Sequence, residues 1–126
     1  MLFRSQPLFV FEGVDFPAED PYIWVQDNCF YAIVKDMKGY FTQKGQSLAL
    51  FSSSDGLDWS LAKHPLVSGL NVEMTNGQVM HLTHLERPQL YMEAGKPAVL
   101  FCAAANSKDS THTSIESSFN IHIPLK

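Results

Sequence analysis

Apolar residues along the chain fall in short runs rich in aromatic and branched side chains, broken by clusters of Gly, Pro, Asn, Asp and Ser, which is strand patterning. The runs predict strands at 7–12, 21–27, 29–36, 46–53, 59–66, 78–84, 87–93, 97–104 and 117–124. No window carries the spacing of an amphipathic helix, so the predicted class is all-β. Loops are expected at Gly13 to Ala18, Met37 to Gly45, Ser68 to Asn76 and Asn106 to Thr113.

An internal repeat organises these strands. Glu19-Asp20-Pro21-Tyr22-Ile23-Trp24-Val25 matches Glu86-Arg87-Pro88-Gln89-Leu90-Tyr91-Met92 as Glu-x-Pro-x-aliphatic-aromatic-apolar, 67 residues later. Each copy continues through a turn, Asp27-Asn28 or Gly95-Lys96-Pro97, into a second strand, Phe30 to Val34 or Ala98 to Cys102. Third strands follow, Leu48 to Ser52 and Phe119 to Ile123. The first copy adds a fourth, Trp59 to Val67, after the turn Ser54 to Asp58, whereas the second stops at Lys126. An unpartnered strand of the missing kind stands at the front, since Phe3-Arg4-Ser5-Gln6-Pro7-Leu8-Phe9 matches Leu61 to Val67 as apolar-x-x-x-Pro-Leu-apolar.

Four-stranded antiparallel units with one strand supplied from the other terminus are the parts of a β-propeller. The expected organisation is a single partial propeller over 1–126: an outer strand at 1–12, one blade at 19–67 and a second at 78–126 that lacks its outer strand. Two blades cannot close a ring, so self-association is expected, a dimer giving four blades and a trimer six. If the repeat is coincidental, a β-sandwich is the alternative.

Charge and composition narrow the partners. With 126 residues, 45% hydrophobic, the chain has material for one modest core and little room for a second domain. Nine basic residues stand against 13 acidic ones, which gives no electrostatic reason for nucleic-acid or anionic-membrane binding. There is no apolar run long enough to span a bilayer and no signal-peptide order in Met1 to Pro7, so the chain as written reads as cytoplasmic. Cys29 and Cys102 both sit in apolar runs and are expected as buried reduced thiols.

The phrases Glu19 to Trp24, Tyr31 to Asp36, Ser52 to Trp59, Leu85 to Leu90 and Phe119 to Leu125 together resemble, over nearly the whole chain, the five-bladed β-propeller glycoside hydrolases, the group of arabinanases, xylosidases, levansucrases and invertases. The likeness is to their last two blades plus the outer strand of the blade before. It implies a carbohydrate-binding hydrolase-like protein, and it leaves the family's first-blade carboxylate without a counterpart here. A non-catalytic, lectin-like or scaffolding oligomer derived from such an enzyme is therefore the alternative.

Glycoside cleavage needs two carboxyl groups flanking the bond, one of them kept protonated. Glu19, Asp20 and Glu86 stand at the starts of the innermost strands beside Pro residues and are the candidate catalytic carboxylates. Arg87 is a candidate for tuning a carboxylate or clamping an acidic sugar. Tyr22 and Trp24 offer aromatic faces for a sugar ring, against the alternative that they pack between sheets. His84 shares a face with Glu86, while Lys35 and Asp36 end the second strand as either a surface ion pair or a pocket edge. Tyr40 and Phe41 are expected to be exposed. The turn Ser54 to Trp59 is read as structural, with Asp55 and Gly56 both at positive φ. His81 and His84 diverge on a strand, so no metal is expected, nor any cofactor.

Overall fold

The computed structural model describes residues 7–106 and 117–125. It is all-β: β1 (Ala18–Gln26), β2 (Cys29–Asp36), β3 (Ser47–Ser53), β4 (Ser60–Ser68), β5 (Asn71–Glu73), β6 (Val79–His81), β7 (His84–Glu93), β8 (Lys96–Asn106) and β9 (Ser117–Pro124). Strands β1 to β4 form one antiparallel sheet in chain order, and β7 to β9 form a second. No helix is long and apolar enough to cross a membrane among the described residues.

The 67-residue repeat is a repeat of backbone as well as of sequence. In both copies the residue after the glutamate adopts left-handed φ, 53° at Asp20 and at Arg87, and the strand register shifts there, between Glu19 and Tyr22 and between Glu86 and Gln89. Such a bulge re-aims the side chains on either side of it. The following hairpins also correspond: Asp27-Asn28 and Ala94-Gly95 all have positive φ, the signature of a two-residue type I′ turn. The second turn thus lies one residue before its expected place, and Pro97 belongs to β8, opposite Met92. Pairing then runs in parallel, with Tyr22 opposite Ile33 as Gln89 is opposite Phe101, and Trp24 opposite Tyr31 as Tyr91 is opposite Val99.

The sheets pack with β7 against β1 and β2. Ile33 and Leu48 from one side meet Leu85, Leu90, Leu100, Cys102 and Ala104 from the other. Alternation along each strand sends these residues inward, and burying each large aliphatic one contributes about 1.5–3 kcal/mol. The far face of the first sheet carries a smaller cluster, Ala32, Val34, Ala49 and Phe51, covered by Phe9, Ala18, Phe41 and Trp59.

Three expectations change. The segment 7–12 is not a strand: it carries one isolated bridge, Phe11 to Val14, and Phe9 turns onto the rings of Phe51 (4.9 Å) and Trp59 (5.5 Å). It does not pair with β9, the role foreseen for it at 1–12, while Phe3 to Gln6 lie outside the described residues. The stretch between β4 and β7, expected as a loop and one strand, is a short β5-β6 hairpin that lends Val72 and Met80 to the core between sheets. Its three-residue strands are too brief to show a period. Most of the loop expected at Asn106 to Thr113 also lies outside the described residues, Asn106 itself ending β8.

Candidate functional site

Glu19 and Glu86, the first residues of the repeated phrase, converge on one cation. The Nζ of Lys35 donates to Glu19 Oε1 at 2.8 Å and to Glu86 Oε1 at 2.5 Å. Each residue is placed by local structure. Lys35 is directly opposite Glu19 in the β1-β2 ladder, and the two bulges turn both glutamates at the point where β7 crosses β1. Lys35 is 4% exposed, and only a matched charge makes such burial of an ammonium tolerable.

The electrostatics follow from this geometry. Burial pulls the Lys35 ammonium down, but the hydrogen bonds and charges of Glu19 and Glu86 outweigh it and the net direction is up. The Lys35 hydrogen bond holds Glu86 below the usual carboxylate range against partial burial, with His84 and Arg87 adding smaller pulls in the same direction. Glu86 is therefore an ionised acceptor, a hydrogen-bonding or nucleophilic group rather than a proton donor.

Beside this triad lies a cleft of about 470 Å³ lined by His84, Glu86, Arg87, Ala103, Ser118 and Asn120 among others. His84, Ala105 and Ser118 are in register across the second sheet, as are Glu86, Ala103 and Asn120, so the polar side chains form two rows on one face. The His84 ring is hydrogen-bonded to Thr83 Oγ1 at 3.1 Å. Asp20 and Arg87, the two left-handed residues, line a separate cleft of about 280 Å³ between the bulges with Pro21, Tyr22, Pro88 and Gln89. Asp20 thus stands beside Arg87 and apart from the lysine-bridged pair.

The remaining candidates have other partners. Asp36 is 0% exposed and is not ion-paired to Lys35: the two point to opposite faces, as neighbours in a strand do. Its Oδ1 accepts the N–H groups of Gly39 and Tyr40, and its Oδ2 those of Phe41 and Thr42 together with the Thr42 hydroxyl. That carboxylate is the template of the 37–46 loop. Gly39 is obligatory in it, with φ +81° and a Cβ position 2.5 Å from the Gly45 nitrogen. Tyr40 and Phe41 are consequently half-buried against Phe11 and Phe51 instead of exposed.

Tyr22 and Trp24 are half-buried against the core between sheets, Trp24 stacked on Tyr31 at 5.3 Å, and Tyr22 Oη donates to the Leu90 carbonyl. They stand as packing aromatics between the sheets. In the Ser54 to Trp59 turn only Gly56 has positive φ; Asp55 instead accepts the N–H groups of Leu57 and Asp58, which hold its carboxyl low, and Trp59 Nε1 caps the Gly56 carbonyl. Both cysteines are free; burial pushes the Cys102 thiol up to about 12, which makes it inert at neutral pH. His81 hydrogen-bonds Asn71 on the small hairpin, and no metal-ligand cluster occurs among the described residues.

Residues that sequence reasoning passed over are Ser118 and Asn120 in the cleft, and Lys35 in its bridging role. Strand parity gave a signal for Lys35, since it shares a face with Ile33 and Tyr31 and hence with Tyr22 and Trp24. Comparison of the chain with protein-family models, curated proteins and solved structures finds no match.

Proposed function

We propose that this chain is a carbohydrate-binding, glycoside-hydrolase-like protein, its two sheets being blades of a propeller completed by self-association as a dimer or trimer. The observation that carries the reading is the convergence of Glu19 and Glu86 on Lys35 beside the cleft of His84, Arg87, Ser118 and Asn120. Sugar hydroxyls are recognised by dense arrays of fixed acceptors and donors, and this cleft supplies an ionised carboxylate, a guanidinium, an amide and a hydroxyl within one patch. The lysine fixes Glu86 in position in advance, so its ordering does not have to be met on binding.

Binding without turnover is the first expectation, because hydrolysis requires a carboxyl kept protonated and Glu86 is held the other way. Hydrolysis is the second reading. Sharing one ammonium confines the accepting oxygens of Glu19 and Glu86 to within roughly 5 Å, the separation of a retaining pair. A glycan array run beside a panel of chromogenic glycosides separates the two. Under the first reading a glycan is retained, Asn120→Ala weakens it about tenfold by removing one hydrogen-bonding group of the cleft, and no glycoside turns over. Turnover lost in both Glu19→Gln and Glu86→Gln would select hydrolysis, and the absence of any retained glycan or turnover would end both.

A further inference from the structure

The outer faces of the two sheets are the repeat equivalents of the two faces that pack together between them. On the first sheet, the face carrying Tyr22, Trp24, Ile33 and Leu50 packs against the second sheet. The repeat puts Gln89, Tyr91, Phe101 and His122 at the same positions of the second sheet, and this face is open, with Tyr91 56% and Phe101 45% exposed. Conversely, the face of the second sheet that receives the first carries Leu90 and Met92. Their repeat equivalents on the first sheet, Ile23 and Val25, are 45% and 57% exposed. One apolar surface of each kind is therefore buried within the chain; of the other two, the second sheet's is open, and the first sheet's is open at Ile23 and Val25 while Phe9, Ala18, Phe41 and Trp59 cover its Ala32, Val34, Ala49 and Phe51.

The edges tell the same story. Strand β9 has no partner on its outer side among the described residues, whereas its equivalent β3 is covered there by β4. The sequence of β4 that does this, Leu61 to Val67, is the one matched by Phe3 to Phe9. Within the chain, Phe9 sits on the outer face of the first sheet, against Phe51 and Trp59. That is the face on which another second sheet would dock, so the residues ahead of Phe9 start from beside the place where a foreign β9 would arrive.

We infer that the outer face of the second sheet docks on the outer face of the first sheet of another copy of this chain, and that residues 3–9 of that copy add to β9 as its fourth strand. This is a heterologous, head-to-tail contact, which closes only as a ring. The inference rests on the propeller reading above and not on the identity of any sugar. Register follows from the repeat. Ala49 and Ile121 occupy equivalent places, opposite Val34 and Cys102, and Leu66 pairs with Ala49; Leu8 of the second copy therefore lies opposite Ile121. The cleft is changed as well. Ala103 holds the position of Lys35, so this junction adds no further lysine, and the second copy's Glu19, held by its own Lys35, brings a second carboxylate to the binding patch.

Light scattering on wild-type chain should give a whole multiple of the chain mass, and Phe101→Glu or Ile23→Glu, both at exposed positions, should each reduce it to a single chain. An equimolar mixture of the two variants should recover a dimer, since one variant keeps an intact first face and the other an intact second. A wild-type single chain, or either variant retaining the full assembly, overturns the docking. For the strand, chain bearing only Leu8→Cys is mixed with chain bearing only Ile121→Cys under oxidation. A disulfide-linked pair on a denaturing gel is expected; an assembly without the link overturns the exchange. A ring that retains no glycan would leave this inference standing and end the saccharide reading, and a single chain that retains one would do the reverse.

Discussion

The two sheets share a backbone device and differ in the dipeptide that follows it. Where the first sheet has Lys35-Asp36 at the end of its second strand, the second has Ala103-Ala104 in the same register, opposite Glu86 and Leu85 as the first pair is opposite Glu19 and Ala18. The bulge with left-handed Asp20 or Arg87 is common to both, so the glutamate is aimed alike in each. What it meets is different. In the first sheet a buried ammonium and an organised loop close the end of the strand; in the second, two methyl groups leave an open cleft. A repeat can therefore keep its frame and separate a closed end from an open cleft by two side chains.

That contrast is broken most severely at Asp36. Replacing it with Ala strands four loop N–H groups and the Thr42 hydroxyl, and at about 1 kcal/mol for each lost partner the cost is about 5 kcal/mol, read as a lowered urea midpoint. The equivalent Ala104→Gly should cost far less, about 1 kcal/mol, because no polar group depends on it.

Lys35→Met comes next. It leaves two partly buried carboxylates facing each other and should destabilise the fold by about 2 kcal/mol at neutral pH, less than a fully buried pair because both glutamates retain some solvent. The penalty should shrink in acid as the carboxylates take up protons, which unfolding curves at pH 7 and pH 4 would show.

Glu86→Gln is milder, about 1 kcal/mol, and its signature is the pH profile. Because Lys35 depresses Glu86 in the folded state, the unfolded chain binds more protons just below the ordinary value of 4.5, and stability rises with pH there. The contribution is complete above that value and is lost as pH falls through the depressed one. Wild type should lose stability over this acid window and the Gln variant should lose less.

The smallest effect, and the sharpest test of equivalence, is Ala103→Lys. It recreates the lysine of the first sheet in the second and should change stability by no more than about 0.5 kcal/mol, since the new ammonium is only partly enclosed. Under the saccharide-binding function proposed above, glycan retention on the cleft should nevertheless fall, because the new side chain competes for Glu86.

Much of the fold was legible because its signals are local. Eight of the nine predicted strands have counterparts, since alternation and turn residues act over a few positions. The segment at 7–12 misled because Leu8, Phe9 and Val10 are as apolar as a strand, yet the rings of Phe51 and Trp59 draw Phe9 out of line. In the candidate site Glu19 and Glu86 were visible through the repeat, whereas Asp36 could not be told from a surface acid. Its partners are the backbone of a loop, and a loop's N–H groups leave no mark in sequence.

The sequence by itself determined the all-β class, the order of the strands and the pairing of the two Glu-x-Pro phrases, because each depends on residues close along the chain or identical at a fixed offset. Only the tertiary structure decided that Lys35 lies between those glutamates, that Tyr22 and Trp24 face the core between sheets, and that Asp36 is buried within a loop. Those facts depend on how one sheet crosses the other. A side chain's charge is written in the sequence, but the dielectric around it and the partner across the interface exist only once the sheets have met.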